Sequence, residues 1–189
     1  MNGFLPKSGG YRQLRAFRLT EIIHELTAVF VKRFIRPGSR TVDQMEQAAR
    51  SGKQNIAEGS KASMTSKGTE IKLTNVAKAS LEELQLDYED YLRHNGLRLW
   101  DKAHPRTLRL RDYLRSDVFM NDPVRYASTM NAEEYCNMCI TLINQTTYML
   151  RRLIERQQEQ FLRDGGIKER MYRARVSYRT GRPSTPPSD

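Results

Sequence analysis

Few residues in this chain are of a type and spacing that would do chemistry. Cys136-Asn137-Met138-Cys139 has the C-x-x-C spacing. A redox pair of that kind works at a strand-to-helix turn, and a zinc site needs a second pair of ligands. Here both cysteines fall inside a helical pattern, Cys139 on its apolar stripe, so neither chemistry is expected. His24, His94 and His104 are scattered, with no H-x-x-x-H spacing among them. Glu58 and Glu83 suggest a carboxylate site, but a di-iron bundle requires Glu-x-x-His pairs and there are none. Both read as surface or inter-helix polar contacts. No catalytic residue, metal site or cofactor is expected.

Charge is the stronger signal. The 189 residues carry a formal net charge of +10, which favours an acidic partner, nucleic acid ahead of anionic membrane. The excess is unevenly placed: residues 97–130 carry +3, residues 163–189 carry +4, and everything else together carries +3. The candidate contact residues are Arg33, Arg36 and Arg40 near the first turn, and Arg50, Lys53, Lys61 and Lys67 around the second helix. Arg109 and Arg111 follow in the 97–130 stretch, then Arg170, Arg173, Arg175 and Arg179 in the tail. In the tail, Tyr172 and Tyr178 alternate with arginines, which suits phosphate contact combined with stacking on unpaired bases.

The elements that position these residues are helices. Leu19, Ile22, Ile23, Leu26, Phe30 and Phe34 recur at three- and four-residue steps and stop at Pro37-Gly38. A second helix is predicted to open at Thr41, with Gln44 completing a capping box, and to end at Gly59 as a left-handed cap. Its inner face, Met45, Ala48, Ala49, Gly52 and Ile56, is small enough for a close neighbour. The third runs from a Ser66 cap to Asn95-Gly96 on Leu73, Ala77, Leu81, Leu84, Tyr88 and Tyr91. Residues 97–130 are less regular, with one short helix expected after Pro105 and a turn at Asn121-Asp122-Pro123. The fourth long helix starts at Asn131, with Glu134 at its third position, and carries Tyr135, Met138, Cys139, Leu142, Thr146, Met149 and Leu153 to about Leu162.

The expected fold is therefore all-α: an up-down four-helix bundle over residues 11–162 with a helix 3–4 insertion at 97–130. A flexible leader, 1–10, precedes it. A basic tail, 163–189, follows with a helical turn or two and then disorder. No signal peptide or membrane span is expected, and two cysteines three residues apart suit the reducing cytoplasm. Asn55 is expected to hydrogen-bond across the bundle or to a helix end, and Tyr88 and Tyr91 to lie in the core or a subunit interface.

Two segments carry a family resemblance: Gln47-Ala48-Ala49-Arg50-Ser51-Gly52-Lys53-Gln54-Asn55-Ile56-Ala57-Glu58-Gly59-Ser60 and Ala77-Lys78-Ala79-Ser80-Leu81-Glu82-Glu83-Leu84. Together they resemble the bacterial four-helix bundle proteins encoded in intervening sequences of large-subunit ribosomal RNA genes. The accessory variability protein of diversity-generating retroelements shares that fold. The match spans residues 11–96 and, more weakly, 131–162. The resemblance implies a homopentameric ring, nucleic-acid binding, in one branch a reverse transcriptase partner, and no enzymatic activity. Arg50, Gly52 and Lys53 stand where relatives carry apolar residues or proline, Thr69 replaces a Glu, and both the insertion and the tail are additions. The expected role is a non-enzymatic nucleic-acid-binding bundle, RNA first. The alternative is a protein-interaction scaffold or accessory subunit, for example of a reverse transcriptase.

Overall fold

A computed structural model describes residues 10–180. Residues 1–9 of the expected leader and the proline-rich end at 181–189 lie outside the described residues. Among the described residues every regular element is a helix. A 3-10 turn, Tyr11–Gln13, leads into α1 (Arg15–Phe34), α2 (Arg40–Ala62) and α3 (Lys67–His94). Three short helices follow, α4 (Pro105–Tyr113), α5 (Asp117–Asn121) and α6 (Pro123–Ala127), then α7 (Ala132–Asp164) and α8 (Ile167–Thr180). α2 packs on α3, α3 on α7, and α1 on both α2 and α7.

The apolar stripes face inward as the spacing requires. Leu19, Ile22, Ile23, Leu26 and Phe30 of α1 meet Met45, Ala48, Ala49 and Ile56 of α2 in one core with Ala77, Leu81, Leu84 and Tyr88 of α3. Tyr135, Met138, Cys139 and Leu142 of α7 complete it. The polar atoms in this core are paired: the Tyr135 hydroxyl donates to the Leu26 carbonyl at 2.9 Å, and the Tyr88 and Thr27 hydroxyls lie 3.1 Å apart. Tyr91 is half-buried, its ring 5.0 Å from Phe30.

Two sequence expectations about α2 need correcting. Its N-cap is Ser39, whose Oγ accepts the Thr41 N–H at 3.3 Å, so Thr41 is already helical and no Thr41–Gln44 box forms. The chain leaves the Pro37-Gly38 turn with Gly38 at φ +78°, which sets Ser39 in the extended conformation a cap needs. Gly59 does not end the helix; α2 runs through it to Ala62. A Cβ on Gly59 would sit 3.2 Å from the Glu70 carbonyl oxygen and 3.3 Å from Leu73 Cβ, so its role is to let α3 approach. By contrast, Ser66 caps α3 by accepting from Thr69 N, and Asn131 with Glu134 forms a complete capping box on α7.

Residues 97–130 are more ordered than their pattern suggests. They form three short helices rather than one and bury Trp100, Leu110, Leu114, Phe119, Ala127 and Met130 in the same core. α4 packs on α7 and α6 on α1. The segment after Gly165-Gly166 is also longer than a helical turn or two: α8 has 14 residues, none of them buried.

Gly52 marks the tightest approach of α2 to α3, since a Cβ there would lie 2.8 Å from Leu81 Cδ2 and 3.0 Å from Leu81 Cγ. Leu81 is fully buried and has little room to move. Gly52→Val is expected to destabilise the fold by about 1–3 kcal/mol despite the helix propensity it adds, read as a lowered thermal midpoint by circular dichroism. An unchanged or raised midpoint would contradict the close approach.

Candidate nucleic-acid interface

The site begins with two α7 side chains one turn apart. Glu133 accepts the backbone N–H of Arg98 at 3.1 Å through Oε2 and the Trp100 indole N–H at 2.9 Å through Oε1. Asn137 accepts the Trp100 backbone N–H at 2.8 Å and donates to the Arg98 carbonyl at 2.9 Å. Asn137 is buried, so its amide is fully engaged where an unmade bond would cost most. The pair grips residues 98–100 much as a neighbouring strand would. The Arg98 N–H, then the Trp100 indole, hold the Glu133 carboxyl below the usual carboxylate range.

With Trp100 anchored, the chain turns at residues 101–104 and enters α4 through Pro105. The His104 ring stacks on Trp100 at 5.2 Å, and its Nδ1 accepts the Arg106 N–H. α4 then forms a ridge along α7 with a cleft on each flank, and Trp100 lines both.

The cleft between α4 and α7 has a volume of about 420 Å³ and is lined by Lys102, Arg111 and Arg115 on one wall and Asn144, Gln145 and Tyr148 on the other. No carboxylate lines it. Among the described residues, none of the three basic side chains makes a salt bridge. Gln145 Nε2 is covered and has no acceptor among the described residues. Tyr148 is 57 % exposed, and the Arg151 guanidinium lies 5.3 Å from its ring centroid. The opposite cleft, about 440 Å³, holds Arg106, Arg109, Tyr113 and Tyr126 but also Glu134, which lies 3.4 Å from Arg106.

The thirteen basic residues singled out from sequence divide clearly. Arg109 and Arg111 lie on opposite flanks of α4, one in each cleft. Arg33 is exposed but committed to protein groups: its guanidinium donates to the Ala127 and Met130 carbonyls, both at 3.0 Å, and stacks on Phe34 at 4.6 Å. It ties α1 to the end of α6. Lys67 is ion-paired with Glu70 at 2.8 Å and only 14 % exposed at its side chain. Arg40 and Arg50 border a third cleft, but with Asp43, Glu46 and Glu83 beside them, so the local field is mixed. Lys53 Nζ lies 3.4 Å from His24 Nδ1, and burial, then Lys53, lowers the His24 pKa. Arg36 and Lys61 are exposed. Arg170 pairs with Asp164 at 3.6 Å, and Arg173 donates to the Asp164 carbonyl, while Arg175 and Arg179 are exposed along α8.

Sequence reasoning missed Lys102, Arg115, Gln145 and Tyr148. Arg111 and Arg115 stand four apart, the spacing of one helix face, which is the signal that would have grouped them. The opposite wall had no such signal, because Gln145 and Tyr148 belong to a helix remote in sequence. Asn55 donates within its own helix, to the Ser51 carbonyl at 2.9 Å and Ser51 Oγ at 3.1 Å, and Ser51 in turn meets Ser80 Oγ of α3 at 2.9 Å. The two cysteines are buried packing residues. Burial pushes both thiols up, Cys139 to about 12, so neither offers a thiolate near neutral pH. No helix among the described residues is long and apolar enough to cross a membrane.

Trp100 is the chain's only tryptophan, so its emission reports the clamp directly. Glu133→Ala is expected to red-shift that emission at pH 7 with little loss of far-UV helix signal. The depressed Glu133 pKa makes its contribution full above the ordinary carboxylate range and lost as pH falls through its lowered value. The parent protein should therefore show the same red shift only on acidification below the ordinary carboxylate range. An unshifted Glu133→Ala spectrum would remove the clamp.

No protein-family model matches the chain, and neither curated proteins nor solved structures show a significant match to it.

Proposed function

We propose that this protein is a non-enzymatic nucleic-acid-binding helical bundle whose partner is RNA and whose binding surface is the basic insertion rather than the long helices. One observation carries the reading: the α4–α7 cleft presents Lys102, Arg111 and Arg115 with no carboxylate on its walls. A polyanion entering it meets cations that are not already committed to protein partners, which is what phosphate contact requires. On the opposite flank of α4 Arg109 adds a cation beside the Arg106–Glu134 pair, and α8 adds the exposed Arg175 and Arg179. The up-down arrangement of the four long helices, a homopentameric ring and a cytoplasmic location belong to the same proposal. The ring rests on the Asn55-Ile56-Ala57-Glu58-Gly59 and Ala77-to-Leu84 resemblance, the up-down arrangement on the succession of long amphipathic helices, and the location on the two cysteines three residues apart. In a ring, repeated clefts would bind one RNA multivalently.

A second reading, an accessory subunit docking a protein such as a reverse transcriptase, is favoured by the apolar exposure along the C-terminal helices. Leu162 is 83 % exposed, Tyr172 70 % and Tyr178 91 %. A complex with that protein that survives nuclease treatment would favour this reading over the first.

RNA affinity measured by fluorescence anisotropy across a salt series is expected to fall as salt rises, because phosphate contacts release counterions. The double variant Arg111→Gln, Arg115→Gln should flatten the log–log salt slope by about 1.4. Salt-independent or undetectable RNA binding by the parent protein would overturn the proposal.

A further inference from the structure

The α4–α7 cleft differs from a simple phosphate groove in its α7 wall. A surface that only collects phosphates needs cations; this one sets amides and an aromatic ring opposite them. Gln145 and Tyr148 are three residues apart on α7 and so share a face. Gln145 is half-buried on the cleft wall, and its Nε2 is covered and has no acceptor among the described residues. Buried amide donors normally find acceptors, so this covered donor beside a polar cleft marks the α7 side chain that would turn to meet an acceptor brought by a ligand. Tyr148 shows more than half its surface, and the Arg151 guanidinium near its ring holds the phenol in place by cation–π attraction. Stacking platform, edge-reading amide and phosphate-binding cations thus surround one cleft of about 420 Å³. That volume lies in the range of sites for compact organic ligands.

Resting on the RNA-binding reading, we infer that this cleft seats one unpaired base of a single-stranded RNA. Its ring stacks on Tyr148, its edge is hydrogen-bonded by Gln145, and the flanking phosphates lie on Arg111 and Arg115. A duplex cannot use the cleft this way, since its base faces are stacked and its Watson–Crick edges are paired. It would meet only the cations at the rim. The chemistry specifies a class of partner: RNA with accessible, unstacked bases, as in loops, bulges and linear strands. Stacking is tolerant of base identity, whereas an amide against a base edge is not. Any base preference is therefore assigned to Gln145 and the strand preference to Tyr148.

The test uses the full chain and a 5′-fluorescein 12-nucleotide RNA, alone and annealed to its complement, with anisotropy at fixed salt. The single strand is expected to bind about tenfold tighter than the duplex, a factor within the usual strength of one base–aromatic stack. Tyr148→Ala should lose about that factor for the single strand and leave the duplex unchanged, while Tyr148→Phe keeps the preference. Gln145→Leu should compress affinity differences among homopolymeric A, C and U strands without affecting the duplex. Circular dichroism confirms the fold of each variant, and Tyr148→Phe serves as the isosteric control. Equal single-strand and duplex affinities, with Tyr148→Ala indistinguishable from the parent, would overturn the base site while leaving a binding reading that still depends on Arg111. Failure of every RNA to bind in a way sensitive to Arg111→Gln would overturn both.

Discussion

Glu133 and Asn137 hold the backbone of residues 98–100 against the first turns of α7, and the surface outside the long helices depends on that grip. The clamp combines a carboxylate that accepts two N–H groups with a buried amide that both accepts and donates. It turns the start of the insertion into a fixed edge. Without it, Trp100 would lose its indole partner and its place in the core, and α4 would have no defined distance from α7. The two clefts exist because that distance is fixed. Arg33 does the corresponding work at the other end, binding the Ala127 and Met130 carbonyls so that α6 stays on α1.

Net charge and geometry contribute differently to the functional reading. A total of +10 says that an acidic partner is favoured, but not where it binds. Geometry redistributes the candidates. Arg33 and Lys67 are engaged by protein groups, and Arg40 and Arg50 share their cleft with three carboxylates. In the α4–α7 cleft, cations meet an aromatic ring and amides with no carboxylate on the walls. The positive residues of α8 lie on a helix that buries none of its side chains, so they extend the field without forming a cleft.

The long helices were legible because their information is periodic. Leu19 through Phe30, Met45 through Ile56 and Tyr135 through Leu142 repeat at helical spacing, and all are buried as that spacing requires. Ends were legible where a side-chain cap is local, at Ser66 and at Asn131 with Glu134. They were misread at Thr41 and Gly59. Ser39 caps by virtue of the preceding turn, and Gly59 serves a neighbour 11 residues further on, Glu70, rather than its own helix terminus. The cleft was only half legible. Arg109 and Arg111 stood out as cations in a basic stretch, whereas Tyr148 and Gln145 resemble ordinary surface residues of α7 until α4 is laid beside them. Such a wall is made by tertiary contact, and no local pattern of residues encodes it.

The most direct measurement is photo-cross-linking of the full chain to a single-stranded RNA carrying 4-thiouridine, followed by mass-spectrometric mapping of the adducts. Adducts on residues 100–115 and 141–151, the two walls of the α4–α7 cleft, are the expected result. Adducts confined to α2 or α8, with none on either wall, would contradict the assignment of binding to the insertion.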